Sequence, residues 1–337
     1  MTAIRTLLVD GNNLLKIGFH GAKNFYSQDR QVGGIFHFLN TLRKQLTEYN
    51  YDKILVFWDG EWNSLERRKI LAEYKANRVK SDDSEAESFY AQKQRIQLYL
   101  EEFFVRQVEL SHCESDDLIA FYTQSCGDEK VTIYSGDKDL TQLMNENVWI
   151  YNPFKGLIKY GDKIQIIKDV FVPSDNVATF KIFCGDKSDN INGVHFLGEK
   201  TLIKLFPDLL TKKMEVEDIL EQAEELFKEN KNNKTLQSLL TGKTKDGIFE
   251  KELYEINRKI IDLRNPLLTQ EAKDEILSLI NESLDPEGRS YKQAMKMMKE
   301  DGLYNFLPRG DNAWVDFITP FMKLTRKEKQ TFKKTKK

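Results

Sequence analysis

Three short apolar runs punctuate the first half of the chain: Thr6-Leu7-Leu8-Val9, Ile54-Leu55-Val56-Phe57-Trp58 and Val131-Thr132-Ile133-Tyr134. None alternates polar with apolar positions and each is rich in β-formers, so each predicts a strand buried on both faces. Helical patterns separate them. One runs from Gly33 to Tyr49, and a long interval over about residues 64–124 carries Phe89, Ile96, Leu100 and Phe103 at helical spacing. Strands alternating with helices predict an α/β fold with a parallel sheet covered on both faces. The second half reads as mostly helical. Val216, Ile219, Leu220, Ala223, Leu226 and Phe227 draw one stripe of period 3.6, and Leu253, Ile256, Ile260 and Leu263 draw another. Residues 228–247 are polar, rich in Lys and Asn and weakly periodic, which predicts a mobile loop. The last fifteen residues carry eight Lys/Arg against one Glu, the pattern of a disordered basic tail. No internal repeat is evident.

Composition narrows the class. The 337 residues suit one large domain with an appendage or two compact ones. Their 51 basic and 53 acidic residues nearly cancel, so a globally basic nucleic-acid coat is excluded while local segregation of charge is not. Three cysteines without a C-x-x-C pair argue against a disulfide framework and a cysteine zinc site, and the four histidines form no H-E-x-x-H. Asp10 and Asn12 interrupt the only apolar run near the N-terminus, so no secretory leader is expected. No stretch approaches the roughly 18–20 apolar residues of a membrane span. A cytoplasmic protein, bacterial or in a phage-infected host, is the expectation.

The informative feature is the placement of carboxylates. Asp10 ends the first predicted strand (LLVDGNN), Asp59 ends the second (VFWDG), and Asp137 and Asp139 follow the third (IYSGDKD). In an open parallel sheet these positions share the carboxyl edge, where ligands bind. Glu114, Asp116 and Asp117 open an apolar helix (CESDDLIAFY), and Asp186 and Asp189 lie in the loop CGDKSDN. Each cluster alone has a plain structural explanation, as a helix N-cap or a turn. Together, nine converging carboxylates would repel one another by on the order of 4 kcal/mol per close pair at an effective dielectric near 20. Such a cluster needs cations. Oxygen-only donors select hard divalent ions, Mg²⁺ or Mn²⁺, and the number of acids suggests two of them, roughly 3.5–4 Å apart, as in phosphodiester hydrolysis.

Two further segments suit a polyanion. Residues 64–80 (SLERRKILAEYKANRVK) read as a basic helix with six Lys/Arg against two Glu. Arg67, Arg68, Lys69, Lys75, Arg78 and Lys80 are candidate phosphate contacts there, and Tyr74 a platform for an unpaired base. A solvated helix face with Tyr74 half-buried explains the same residues. Beyond the acidic loop, NINGVHFLGEKT sets Gly193 and Gly198 five apart, with Val194 after the first, before a helix predicted over Thr201 to Phe206. Backbone amides at Gly193, Val194 and Gly198, with Lys200 and Thr201, could grip duplex phosphates as a helix-hairpin-helix. A turn capping a helix would look the same.

In order and spacing, VDGNNLL, FWDG, EYKANR, ESDDLIA, SGDKDLTQL and GDKSDNINGVHFLGEKT resemble the 5′ nuclease family. That family comprises flap endonucleases, phage 5′–3′ exonucleases of the ribonuclease H type and the 5′ nuclease domain of bacterial DNA polymerase I. The resemblance covers about residues 4–206, and LYEINRKIIDLR (253–264) is more faintly similar to a later family helix. It implies a PIN-like core with a helical arch and a helix-hairpin-helix. It implies a first metal region at Asp10, Asp59, Glu114, Asp116 and Asp137 or Asp139, and a second at Asp139, Asp186 and Asp189. Lys75 and Arg78 match the arch pair that engages the scissile phosphate and, with Asp10 and Asp137, count as catalytic. Tyr74 matches an arch aromatic, and the hairpin matches an element that often holds K⁺. The family's hairpin usually reads G-V-P-G-I-G. Here His195 and Phe196 replace its Pro and middle Gly, and Asn192 stands where a Pro is common. Phe196 is thus set against the positive φ that a glycine adopts there.

The resulting expectation is a Mg²⁺-dependent 5′ nuclease for DNA with a 5′ flap, nick or end and for RNA–DNA hybrids, serving replication or repair. It would be monomeric and free of membranes, with a single-strand-binding protein or sliding clamp as candidate partners. Its layout would be a catalytic core over 1–180 with the arch at 64–105, a hairpin and helical region over 181–322, and a basic tail over 323–337. With no polymerase segment following, a stand-alone, phage-like nuclease is expected. A non-catalytic binder of branched DNA is the first alternative. No acid is lost, as it would be in such a binder. A metallophosphatase is the second, and the basic segment and hairpin speak against it.

Overall fold

The computed structural model describes residues 3–78, 82–244, 252–282, 284, 288–307, 310 and 312–335. In chain order the strands are β1 (Arg5–Asp10), β2 (Tyr26–Ser27), β3 (Arg30–Gln31), β4 (Lys53–Asp59), β5 (Arg106–Leu110), β6 (Lys130–Tyr134), β7 (Val148–Asn152), β8 (Gly156–Ile158), β9 (Ile164–Ile167) and β10 (Val170–Val172). The helices of the first half are α1 (Gly11–Gly21), α2 (Gly33–Tyr49), α3 (Leu65–Ile70), α4 (Asp83–Glu102), α5 (Ser115–Ser125) and α6 (Val177–Cys184). Those of the second are α7 (Glu199–Leu205), α8 (Val216–Glu229), α9 (Lys234–Thr241), α10 (Leu253–Ile261), α11 (Gln270–Asn281), α12 (Tyr291–Glu300) and α13 (Ala313–Thr335).

The central sheet has the order β5-β4-β1-β6-β7-β8, parallel except for β8 at one edge. The three apolar runs form its middle, with Leu8 of β1 facing Leu55 of β4 on one side and Ile133 of β6 on the other. Alternate residues of β1 then feed two cores. Leu8 packs with α5, α6 and helices α8 to α11, whereas Leu7 and Val9 pack with α1, α2, α4, α12 and α13. The mixed α/β class with a mostly parallel, doubly covered sheet is as expected, and the chain beyond residue 181 supplies helices to both faces.

Several local expectations give way. The interval 64–124 is not wholly helical, since β5 (RQVEL) lies within it. At the sheet edge only Arg106, Val108 and Leu110 are buried, so that strand alternates and lacks the apolar run of a central one. The supposed loop 228–247 contains α9, capped by Asn233 and pinned by buried Leu236 and Leu239. Two anchors are too few to show a period, and residues 245–247 lie outside the described residues. The tail is helical to Thr335, continuing α13 from the buried anchors Phe317, Phe321 and Leu324 through good helix formers. Residues 336–337 lie outside the described ones.

Candidate active site

The carboxyl edge of the sheet gathers the acids. Asp10, the last residue of β1, N-caps α1 by accepting from the Asn13 amide, and Ser135 Oγ lies 3.0 Å from its other oxygen. The next residue must be glycine, because a Cβ on Gly11 would sit 2.6 Å from the Trp58 ring. Asp59, the last residue of β4, accepts from the Ser115 amide at 2.9 Å and so ties the start of α5 to the sheet. Asp137 follows β6, where its amide donates to Ser135 Oγ and its carboxylate accepts from the Asp139 amide at 2.9 Å. Asn12 and Asn13 accept from the Asp59 and Gly136 amides, which locks the three strand ends together. Neither asparagine nor Ser135 was singled out in the sequence, although all three stand inside the quoted motifs.

These acids act on one another. Burial, then Asp59 and Asp137, pushes the Asp10 carboxyl up to about 7. Burial followed by Asp137, Asp10, Glu114 and Asp59 raises Asp116 well above the carboxylate range. Asp139 rises to about 6, chiefly by burial, with Lys181 opposing and Asp137 adding. A second group lies alongside. Glu114, Asp116, Asp139, Asp186 and Asp189 line a small cavity of about 20 Å³, room for about one water-sized occupant.

Basic side chains hold this second group. Lys181, from the last turn of α6, pairs with Asp139 and with Asp186 at 2.5 Å, and Asp186 is lowered because, against burial, Lys181 and the two hydrogen bonds from Ser188 together prevail. Lys75 Nζ stands 2.9 Å from both Glu114 oxygens, and Arg78 2.6 Å from Asp189. Lys181 was missed. Its signal was a lone lysine in an otherwise apolar helix, VATFKIFC. From above, Asn257 of α10 fixes the acidic loop by donating to Ile182 O and Asn192 O.

Among the described residues, no group of three or more His, Cys, Asp or Glu is arranged to hold a metal ion. The donor chemistry nonetheless fits hard divalent cations. The acids are oxygen-only, Asp10, Asp116 and Asp139 are driven toward protonation by burial and then by crowding, and Lys181, Lys75 and Arg78 lie on the carboxylates that cations would otherwise neutralise. This crowding has a measurable sign. Asp10 and Asp139 are raised from an unfolded value of 3.8 to about 7 and about 6, so the folded state holds protons that the unfolded chain lacks in that window. Their stabilising contribution is complete below about pH 4 and is lost as pH rises through 6–7. We expect the metal-free protein to melt at a higher temperature at pH 5.5 than at pH 8, and Mg²⁺ to raise the melting temperature mainly at pH 8. Melting curves in EDTA and in Mg²⁺ check this, and an EDTA profile that rises with pH would contradict it.

The basic segment differs from its reading. Among its described residues only Leu65–Ile70 is helical, and the chain then turns through residues 72–77, stapled to the acidic loop. Lys75 adopts φ 56° and its amide donates to Asp189 O, Asn190 donates to Glu73 O, and Asn77 donates to Lys187 O. Tyr74 offers no platform to a base. It is 2% exposed, with its hydroxyl 3.2 Å from Glu114 Oε2 and 3.3 Å from Asp189 Oδ2. Arg67 cannot meet phosphate either, because it is buried in a two-pronged pair with Asp117 at 2.5 and 3.1 Å. That pair also withdraws Asp117 from the proposed metal ligands. Arg68, Lys69 and Arg78 are exposed, Arg68 donating to Tyr74 O and Lys69 pairing with Glu66. Lys80 lies outside the described residues.

The hairpin is formed, with corrections. Gly193 and Val194 are buried, so neither meets a ligand. A Cβ on Gly193 would lie 2.1 Å from the Cys184 carbonyl carbon, and the Val194 amide donates to Phe183 O. Gly198 and Lys200 are exposed and Thr201 is half-buried at the start of α7, which begins at Glu199, two residues before the predicted start. Phe196 adopts φ 63° despite its side chain. Between hairpin and acids runs a groove of about 700 Å³, walled by Asp137, Asp139 and Asp186, by Lys138, Lys181 and Lys187, and by Phe196 and Gly198.

Comparison with known proteins bears on the family and the fold. A family model described as a 5′-3′ exonuclease, N-terminal resolvase-like domain, matches residues 5–171. A protein named 5′-3′ exonuclease from Mycoplasmopsis pulmonis is 30% identical over 301 residues, 88% of this chain and 95% of that one. Among solved structures, T5 5′-exonuclease with bound zinc aligns with a TM-score of 0.59 at 19% identity, covering 89% of this chain and 99% of that one. A bacteriophage T5 flap endonuclease in a pseudo-enzyme–product complex with DNA and metal ions aligns at 0.58 and 19%, covering 89% and 98%. At these identities the structures share the fold.

Proposed function

The chain belongs to the 5′–3′ exonuclease family and is a nuclease, and from that premise we propose a structure-specific 5′ nuclease dependent on divalent metal ions. The observation that carries the proposal is the gathering of Asp10, Asp59, Asp116 and Asp137 from four separate segments to one sheet edge, where burial first and the neighbouring acids second raise Asp10 and Asp116. Crowding of this kind costs stability and is retained where cations are bound. We assign Asp10, Asp59, Asp116 and Asp137 to one Mg²⁺ or Mn²⁺ ion and Asp139, Asp186 and Asp189 to a second, with Glu114 between them. Bound there, the ions would acidify the attacking water and neutralise charge on the phosphate and the leaving oxygen.

The chain's own residues supply the rest. Lys75 and Arg78 carry the cations nearest the acids from the substrate side, and would exchange carboxylate for phosphate oxygens when a strand enters. Lys181 balances Asp139 and Asp186. The exposed Gly198 and Lys200 of the hairpin, with Lys138 and Lys187 of the groove, suit a duplex held by its backbone, without base readout. Backbone reading tolerates an RNA strand, so a hybrid with a 5′ RNA end falls within the proposed substrate range, as expected of a primer-removing nuclease. The candidate partners, the K⁺ at the hairpin and the division of the chain at about residue 180 remain part of this proposal.

The test is cleavage of a 5′-labelled flap on a nicked duplex, in Mg²⁺ and in EDTA. We expect product in Mg²⁺ alone, with a 5′-phosphate on the downstream fragment, and an affinity that falls steeply between 50 and 200 mM salt. Binding without metal-dependent product would favour the non-catalytic binder, and turnover of a chromogenic phosphate monoester alone would favour the phosphatase.

A further inference from the structure

Phe196 is costly twice over in the free protein. It holds φ 63°, a region that suits glycine and is a genuine outlier for a bulky residue, and it leaves 57% of its surface in water. Its aromatic neighbour is His195, with ring centroids 3.8 Å apart, and the side chain supports no buried core. The backbone around it does not demand a phenylalanine. The turn is closed by the Leu197 amide donating to Val194 O and the His195 amide donating to Lys243 O, and neither bond involves the Phe196 ring. The ring stands on the wall of the groove whose other walls carry Asp139 and Asp186 and the exposed Lys138 and Lys187. A groove with acids for cations at one end, lysines along it and a projecting aromatic face has the chemistry of a nucleic-acid strand, which offers phosphates to the lysines and a flat nucleoside face to the ring.

We propose that Phe196 is a DNA-contacting residue that stacks on an unpaired nucleoside of the bound flap strand, giving this hairpin a non-ionic contact where it would otherwise touch only phosphates. The proposal rests on the nuclease reading above and adds a residue-level contact to it.

The experiment is binding of a fluorescent 5′-flap duplex to the full chain in EDTA, across a series of KCl concentrations. The variants are F196N, F196G, F196Y and F196W. Asparagine and glycine both accept the left-handed conformation, so neither should lower the melting temperature. We expect F196N and F196G to weaken binding about tenfold, within the range of base–aromatic stacking, with the slope of log K against log salt unchanged. F196Y and F196W should stay within about twofold of wild type. Wild-type affinity in F196N and F196G overturns the proposal. So does a salt slope that falls by about one, which would mark a lost phosphate contact. An equal loss in F196Y and F196W also overturns it, because the aromatic face would then not matter. If the wild type neither binds nor cuts the flap, the nuclease reading fails with it.

Discussion

Asp116→Asn should reduce flap cleavage by about 10²–10³-fold while making the metal-free protein more stable. Asp116 is pressed by four other carboxylates, Asp137, Asp10, Glu114 and Asp59, after the effect of burial itself. Asparagine has the same shape and is neutral without taking up a proton, so in EDTA folding no longer has to protonate a buried, crowded carboxyl. In the presence of metal the same change removes an anionic donor at the point where charge must be balanced during phosphoryl transfer. Losing even one preorganised stabilising group typically costs 10²–10³ in turnover. The two effects have opposite signs, which separates a functional acid from a structural one. Asp137→Ala and Asp186→Ala should likewise abolish cleavage and keep flap binding. Asp186→Ala differs in leaving Lys181 with Asp139 alone. The measurements are single-turnover cleavage in Mg²⁺, flap affinity in EDTA and melting temperature in EDTA. Wild-type cleavage by Asp116→Asn would remove that residue from the site, and a lower melting temperature in EDTA would mean that its charge is balanced already.

How far the sequence could be read follows from which signals are local. The three central strands were legible because a strand buried on both faces must be a continuous apolar run, and the acids were legible because topology alone puts strand ends on one edge. The edge strand β5 was not, since two of its five residues, Gln107 and Glu109, are not buried and the remainder resemble a helix stripe. The turn at residues 72–77 was not either. Its departure from helix depends on Tyr74 being drawn into the core and on bonds to a loop more than a hundred residues away. The same limit applies to charge. Lysine and arginine look alike in sequence whether they face solvent, a phosphate or a buried carboxylate, so Lys181 was passed over and Arg67 was assigned outward. Phe196 shows the opposite case. A local rule argued against its conformation, and the surrounding turn imposes that conformation regardless.

Arg67 gives the sharpest test of this distinction. It is 4% exposed, its Nη1 and Nη2 grip Asp117 at 2.5 and 3.1 Å, its Nε donates to Ile260 O at 3.1 Å, and Asp117 accepts in addition from the Leu267 amide. The pair thus ties α3 and α5 to the end of α10 and the turn beyond it. Removing one member of a buried ion pair strands much of the other's charge, Arg67 keeping only Glu114 at 3.6 Å when Asp117 is lost, which costs about 3–5 kcal/mol. Arg67→Ala and Asp117→Ala should each lower the free energy of unfolding by that amount in urea titrations. Replacing both together, Arg67→Met with Asp117→Leu, should recover much of the loss, since an apolar pair of similar volume carries no uncompensated charge. Lys69→Ala, which breaks the exposed pair with Glu66 on the same helix, should change stability by less than about 0.5 kcal/mol. A phosphate-binding Arg67 would behave in the reverse way. Its alanine variant would unfold like wild type and lose flap affinity with a shallower salt slope, and that outcome would return Arg67 to the DNA-facing surface. The double variant decides between the remaining readings, because a metal-binding Asp117 could not be replaced by leucine without loss of cleavage. Wild-type cleavage by the refolded double variant is therefore expected, and it would leave Asp117 holding the scaffold beneath the acids while Asp116, one residue before it, faces them.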